Sequence, residues 1–264
     1  MSINPEVYEL EPHVAELYDR SQNFSDDVEL IRTLLDGRQK LHVLEPFCGT
    51  GRILIPLARH GHEVVGMDCA RAMLDGARAK CRELPAGSSG SVNLIQADAT
   101  SGGWPRGFDL LVLGGNCLYE LATAGEQEAC ILAASLALES GGYLYLDNDH
   151  MEGDLHASWV KPGLTSCFPT GVCADGTRFT STWETIGFDL HKRLVTLRRR
   201  TTVEKTDGTT VSFENIQQKH PVSKAEAAEW LTRSGFVVEK LFGDRLGSPY
   251  TDESSRAIFW ARKE

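Results

Sequence analysis

Val43-Leu44-Glu45-Pro46-Phe47-Cys48-Gly49-Thr50-Gly51-Arg52 decides how the rest of this chain is read. A short apolar strand, Leu41 to Leu44, runs into an acid and then a turn with two glycines, and a helix opens at Gly51. Ile53, Leu54, Leu57 and Ala58 fall on one face of that helix, and Gly61 stops it. Pro56 lies in its first turns, where a missing N–H costs least. Glycine lets the backbone take positive φ and approach a ligand closely. The free amides at the helix start then supply donors to that ligand. Glu63 to Met67 is the next strand, and Asp68 follows it, 17 residues beyond Gly51. An acid there can accept hydrogen bonds from the two hydroxyls of a ribose. The third glycine of the dinucleotide fingerprint is replaced by Leu54, which counts against a nicotinamide cofactor.

Outward from this turn the chain keeps a strand–helix rhythm. The opening segment reads as a helix with Val14, Leu17 and Tyr18 on one side; Asp26 or Asp27 caps a second, with Val28, Ile31, Leu34 and Leu35 at helical spacing. Ala70 to Arg82 is a helix with Met73, Leu74 and Ala77 on one face. Pro85 to Ser91 is a Gly/Ser loop. Val92 to Gln96 and Asp109 to Leu113 read as strands, Gly125 to Glu139 as a long helix, and Tyr143 to Asp147 as a fifth strand after the Gly141-Gly142 turn. Alternating strands and helices predict a parallel sheet covered on both faces. After His150 the rhythm breaks, with Gly, Pro and Cys punctuating Gly153 to Gly176. Three β-rich stretches follow: Arg178 to Phe188, Leu194 to Lys205 and Thr209 to Gln218, the last two joined by Thr206-Asp207-Gly208, a hairpin signal. They predict an antiparallel insertion laid over the parallel sheet. Ser223 and Glu226 form a capping box for a helix through Ala227, Ala228 and Leu231 to Gly235, and Val237 to Phe242 and Ala257 to Ala261 are the last strands. The expected domains are 1–150 with 223–264, and an inserted β cap over 151–222.

Composition narrows the partners. The chain has 264 residues and a formal net charge of −10, which disfavours a phosphate backbone and predicts no nucleic-acid partner. Arg198-Arg199-Arg200, the one basic run, reads as a solvated strand edge. Seven cysteines, an odd number with no Cys-x-x-Cys pair, argue for a reducing compartment and against disulfides or a metal site. Met1 to Leu10 lacks the apolar core of a signal peptide, and no apolar run reaches the ~18 residues that span a bilayer, so no membrane partner and a cytoplasmic location are expected.

The quoted turn resembles motif I of class I S-adenosylmethionine (SAM)-dependent methyltransferases. Asp68 resembles the motif II acid that holds the ribose. Ala70-Arg71-Ala72-Met73-Leu74 is similar to the segment whose Met packs on the adenine, although Met73 suits a core position equally well. Ala97-Asp98-Ala99 resembles motif III, in which the Asp accepts from the adenine amino group and the next amide reaches the ring. The resemblance spans residues 43 to 147. It implies an α/β, Rossmann-like methyltransferase fold with a seven-stranded, mostly parallel sheet, and SAM as cofactor with S-adenosylhomocysteine as product. The cofactor set so implied is Tyr18, Glu45, Phe47, Gly49, Gly51, Arg52, Asp68, Cys69, Met73, Asp98, Ala99, Gly114 and Asn116. Phe47, where small residues are usual, either shapes the pocket or packs under the turn.

In an open α/β sheet the ligand lies beyond the carboxyl ends of the strands. Gly115-Asn116-Cys117-Leu118-Tyr119-Glu120-Leu121 is similar to a Gly-Asn-Ser-x-x-His-Leu stretch of glycine, sarcosine and sugar N-methyltransferases, with Cys117 for Ser and Glu120 for His. The Arg that holds a carboxylate in the glycine enzymes is matched by Asp149, which would suit a protonated amine or a hydroxyl-rich acceptor. Methyl transfer needs mainly alignment and exclusion of water; a base serves only to remove a proton. His150 is the expected base, with Asn116 and Tyr119 beside it; His156 and His220 are alternatives. Trp159, Phe168, Trp183 and Phe188 either line the acceptor pocket or form the insertion's own small core. The reading is a methyltransferase acting on a small-molecule amine or hydroxyl, with a homodimer formed through the insertion as an open option. The alternatives are a protein or RNA methyltransferase and a non-catalytic SAM-binding protein.

Overall fold

The computed structural model describes residues 12–38, 40–84, 90–149, 159 and 163–264. Five strands run parallel: β1 (His42–Glu45), β2 (Glu63–Asp68), β3 (Ser91–Gln96), β4 (Phe108–Leu113) and β5 (Leu138–Asp149). A closing antiparallel hairpin, β11 (Phe236–Phe242) and β12 (Arg256–Lys263), completes a seven-stranded sheet in the order β11-β12-β5-β4-β1-β2-β3. The direction of progression reverses between β1 and β4, and that switch opens a crevice at the carboxyl ends of the strands.

Period-two alternation sends successive residues to opposite faces. Leu44, Leu111, Leu113, Leu144, Leu146 and Phe259 join one core with α5 (Ala124–Ala137) and α6 (Lys224–Arg233). Val43, Leu110, Val112, Tyr145, Ile258 and Trp260 join the other, with α2 (Asp26–Leu34) and α3 (Leu54–Arg59). Both faces are apolar, so the strands read as continuous runs of Val and Leu. Capping boxes start two helices: Ser223–Glu226 on α6, which the sequence announces, and Thr123–Glu126 on α5, which was not anticipated.

Some local expectations change. β5 begins at Leu138, not Tyr143, because the chain pairs with β4 through a bulge that absorbs Gly141-Gly142. Regular helix starts at Leu54 rather than Gly51. Asp27 does not cap α2: Ser25 holds the cap position, and Asp27 is wholly buried against Arg52.

A second, antiparallel sheet follows β5. β6 (Leu164–Ser166), β8 (Arg178–Asp189), β9 (Leu194–Glu204) and β10 (Thr210–Lys219) lie in the order β10-β9-β8-β6, with β7 (Gly171–Val172) also on β8. One face of it, through Phe179 and Val203, packs on α1 (Pro12–Ser21) and on Met73 of α4 (Arg71–Arg82). Arg198-Arg199-Arg200 is therefore not a strand edge. β9 is interior; Arg198 and Arg200 pair with Glu184 and Glu214 on the outer face, and Arg199 is buried on the inner face. All seven cysteines are free. No helix among the described residues is long and apolar enough to cross a membrane.

Gly66, on β2, lies directly under the glycine turn. A Cβ there would meet Cys48 Sγ at 2.8 Å and Leu54 Cδ1 at 2.9 Å. Gly66→Ala is expected to cost about 1–3 kcal/mol through overpacking, read as a lower urea midpoint with an unchanged slope.

Candidate active site

The carboxylate of Asp68 organises the crevice. Its Oδ2 accepts from the Gly49 amide at 2.8 Å and its Oδ1 from Ala70 N–H at 2.9 Å, so the end of β2 holds the glycine turn after β1. Cys48 N–H also donates to Met67 O at 2.9 Å. Gly51 has φ +81°, and a Cβ there would lie 2.7 Å from Ile55 Cδ1, so only glycine serves. Burial is the strongest influence on Asp68 and pushes its pKa up to about 6, against the pull of the Ala70 and Gly49 amides.

Above the turn lies a cleft that opens to solvent. Tyr18, Phe47, Gly49, Asp68, Cys69, Met73, Ala99 and Gly114 line it, all named from sequence. Pro46, Gly115, Cys117 and Glu120 line it too; they lie in the two stretches quoted from the sequence but were not among the residues expected to bind the cofactor. Tyr18 covers the turn, its ring 3.8 Å from where a Gly49 Cβ would stand. Burial, the largest effect, lifts its phenol to about 12. Helix α1 is tied down beside it: Asp19 accepts from Thr50 Oγ1 and from Lys80 Nζ.

Glu45 and Arg52 stand behind the lining. Arg52 grips Asp27 with two bonds of 2.7 and 2.6 Å, stacks on the Phe24 ring at 4.1 Å, and brings Nη2 near Gly115. Glu45 is buried and its Oε2 has no partner. Burial, only partly offset by Arg52, pushes its carboxyl up to about 8. Asp98 sits in a tight turn, its Oδ1 accepting from the Thr100 amide and hydroxyl at 2.8 and 2.7 Å.

After β4, Asn116 adopts a left-handed conformation, φ 64°, and starts a short 3-10 turn, Cys117–Glu120. Its Oδ1 accepts from Asp149 N–H at 2.8 Å and from Arg256 Nη2 at 2.7 Å, leaving its amide nitrogen without a protein partner among the described residues. The Tyr119 ring is 5.6 Å from that of Trp159, and its hydroxyl is buried and unpartnered. Burial and then the charge of Asp149 hold this phenol well above its ordinary pKa, which rules it out as a base near neutrality.

Of the three histidines expected as a base, only His220 is among the described residues. His150 and His156 lie outside the described residues. His220 is buried away from the lining, bonded to Glu226 Oε1 at 3.0 Å and to the Arg193 carbonyl at 3.1 Å. Nor is Asp149 a free acid, because Arg256 Nη1 binds it at 2.6 Å. Arg256 is its cross-strand partner on β12, a pairing that only the register reveals.

Residues 43–142 match a family described as methyltransferase domain. A Bacillus subtilis (strain 168) protein named "Putative methyltransferase YqeM" is 26% identical over 232 residues, covering 85% of each chain. Among solved structures, the CcbJ methyltransferase of Streptomyces caelestis is similar with a TM-score of 0.72 and 18% identity, over 98% of this chain and 99% of that one. The sugar N-methyltransferase KedS8 of Streptoalloteichus gives 0.67 and 18% over 93% and 90%. At these identities the solved structures speak for the fold. The matched segment contains the glycine turn and the acid of β2, and over these residues the chain is similar to a methyltransferase domain.

Glu45 gives the site a pH signature. Its native pKa, about 8, stands above the ordinary 4.5, so the folded chain holds this proton more tightly than the unfolded one. Ligand-free stability should fall as pH rises from about 4.5 to 8 and level off above, by a few kcal/mol at most. Glu45→Gln should flatten that slope in denaturation curves recorded between pH 5 and 8; an unchanged slope would refute the assignment.

Proposed function

We propose that this chain transfers a methyl group to a nitrogen or oxygen of a small-molecule acceptor. The observation that carries the reading is the cleft at the topological switch, where Asp68 both anchors the glycine turn and faces the lining, under the ring of Tyr18. Bound SAM supplies an activated methyl on a cationic sulfonium, and the residues fit such a group. Asp68 keeps lone pairs for ribose hydroxyls, and Met73 and Ala99 are placed to flank a base. The unpartnered Oε2 of Glu45 is a ready acceptor toward the amino-acid end, where Tyr18 and Arg52 also converge. Asp68 and Glu120 make the cleft wall acidic, which favours a cation over a neutral ligand.

On the acceptor side, the free amide nitrogen of Asn116 and the buried hydroxyl of Tyr119 are donors that can orient an oxygen or a lone pair. Residues 151–222 serve as the cap: Phe168 of this segment meets the Tyr18 ring edge-on at 6.0 Å, at the rim of the cleft. Sugar and glycopeptide N-methyltransferases are among the proteins of similar fold, which supports a small molecule with a modifiable amine. The net charge of −10 supports the same choice over nucleic acid.

Calorimetric titration with S-adenosylhomocysteine tests the reading. Micromolar binding is expected; no heat and no thermal shift would sink it. Asp68→Ala should weaken that binding about 10- to 100-fold, since it removes charge-assisted bonds to the ribose and frees the Gly49 amide.

A further inference from the structure

The basic run Arg198-Arg199-Arg200 divides between the two faces of the second sheet, and only its outer members find counter-charges. Glu184, Glu204 and Glu214 all lie on the outer face, where they pair with Arg198, Arg178 and Arg200. Arg199 points inward, is 8% exposed, and forms no salt bridge among the described residues. Burial pushes the neighbouring Cys167 thiol up against the weaker pull of the Arg199 guanidinium, and Arg199 Nε has no partner.

Strand register sets Trp183, Arg199 and Asn215 side by side across β8, β9 and β10. Trp183 Nε1 and both polar atoms of the Asn215 amide are also buried without a partner. Lys219, on the same face, brings its Nζ to 5.8 Å from the Trp183 ring. A buried cation without a counter-charge is among the least tolerated groups in a protein interior. Four polar atoms in one row of three residues have no partner among the described residues, which marks the row as a place to look for a ligand.

We propose that the Trp183–Arg199–Asn215 row is an anion-binding subsite that takes a carboxylate on the molecule to be methylated. The proposal rests on reading the chain as a small-molecule methyltransferase and narrows its substrate class. A guanidinium edge matches the two oxygens of a carboxylate, and the unpartnered Nε belongs to such an edge. Trp183 Nε1 and Asn215 Nδ2 add donors beside it, and Asn215 Oδ1 remains for a neighbouring hydroxyl. Trp183 and Asn215 are each part-buried, and their unpartnered polar atoms are themselves buried beside Arg199. Four residues along β8 from Trp183, Phe179 packs in one cluster with Leu17 and with Met73 of the cleft lining. At ~3.3 Å per residue, Trp183 and Phe179 are roughly 13 Å apart along the strand, which sets the row on the face of the sheet that packs toward the cleft. Asp149 does not oppose an anion, because Arg256 already pairs with it.

The test titrates benzoate and its uncharged isostere benzamide into protein saturated with S-adenosylhomocysteine, by calorimetry and thermal shift. Benzoate is expected to bind and benzamide to bind at least about tenfold more weakly. Arg199→Gln should cut benzoate affinity about 10- to 100-fold and leave S-adenosylhomocysteine binding intact. Trp183→Phe, which keeps the ring and loses the N–H, should weaken benzoate several-fold. Should Arg199→Gln fail to fold, Asn215→Asp replaces it: a carboxylate beside Arg199 should expel benzoate. Benzoate that does not bind, binds no better than benzamide, or ignores these substitutions overturns the subsite. Loss of S-adenosylhomocysteine binding by the unaltered protein would sink the underlying reading instead. Arg199→Met should raise the ligand-free Tm by removing an unpaired buried cation; a lower Tm would make Arg199 a support of the sheet and overturn the proposal.

Discussion

Three part-buried arginines under the carboxyl ends of the strands hold both halves of the cleft in place. Arg52 pairs with the wholly buried Asp27; Arg245 and Arg256 both bind Asp147, also wholly buried, and Arg256 continues to Asp149 and to Asn116. The ring of Phe24 joins the two groups, with the guanidinium of Arg52 on it at 4.1 Å and that of Arg245 at 4.2 Å. Each carboxylate would be intolerable alone in this interior, and each arginine would be too. The N-terminal helices, the glycine turn, the end of β5 and the closing hairpin are thereby fixed to one another. The strained backbone of Asn116 is one product of that arrangement, since its side chain is gripped from two sides.

Charge is sorted by surface. The cofactor cleft is walled by Asp68 and Glu120, with Glu45 behind. The inner face of the second sheet carries Arg199 and Lys219, and its glutamates are turned outward. A chain with a net charge of −10 thus carries an acidic cleft wall and, on its second sheet, a cationic patch. The raised carboxyls of Glu45 and Asp68 have one main cause: both acids are withdrawn from water.

Local patterns carried the architecture. The apolar runs of β1, β2 and β4, the glycines at 49 and 51, and the capping box at Ser223 are short-range signals, and each is found where the sequence places it. Errors arose where a neighbouring strand outvoted a local signal. Gly141-Gly142 reads as a turn, but pairing with β4 draws it into a bulged strand. Arg198-Arg199-Arg200 reads as an edge, but β8 and β10 enclose it on both sides.

The sequence by itself determined the parallel sheet, the glycine turn and the acid that follows it, because those depend on periodicity and on backbone freedom within a few residues. Only the tertiary structure decided the charge balance at the end of β5. Asp149 reads as a free acid and Arg256 as a strand residue 107 positions away; paired across β5 and β12, they cancel. Arg199, one of three arginines in a row, becomes the unpaired one because a strand sends alternate side chains to opposite faces, and the glutamates lie on the other.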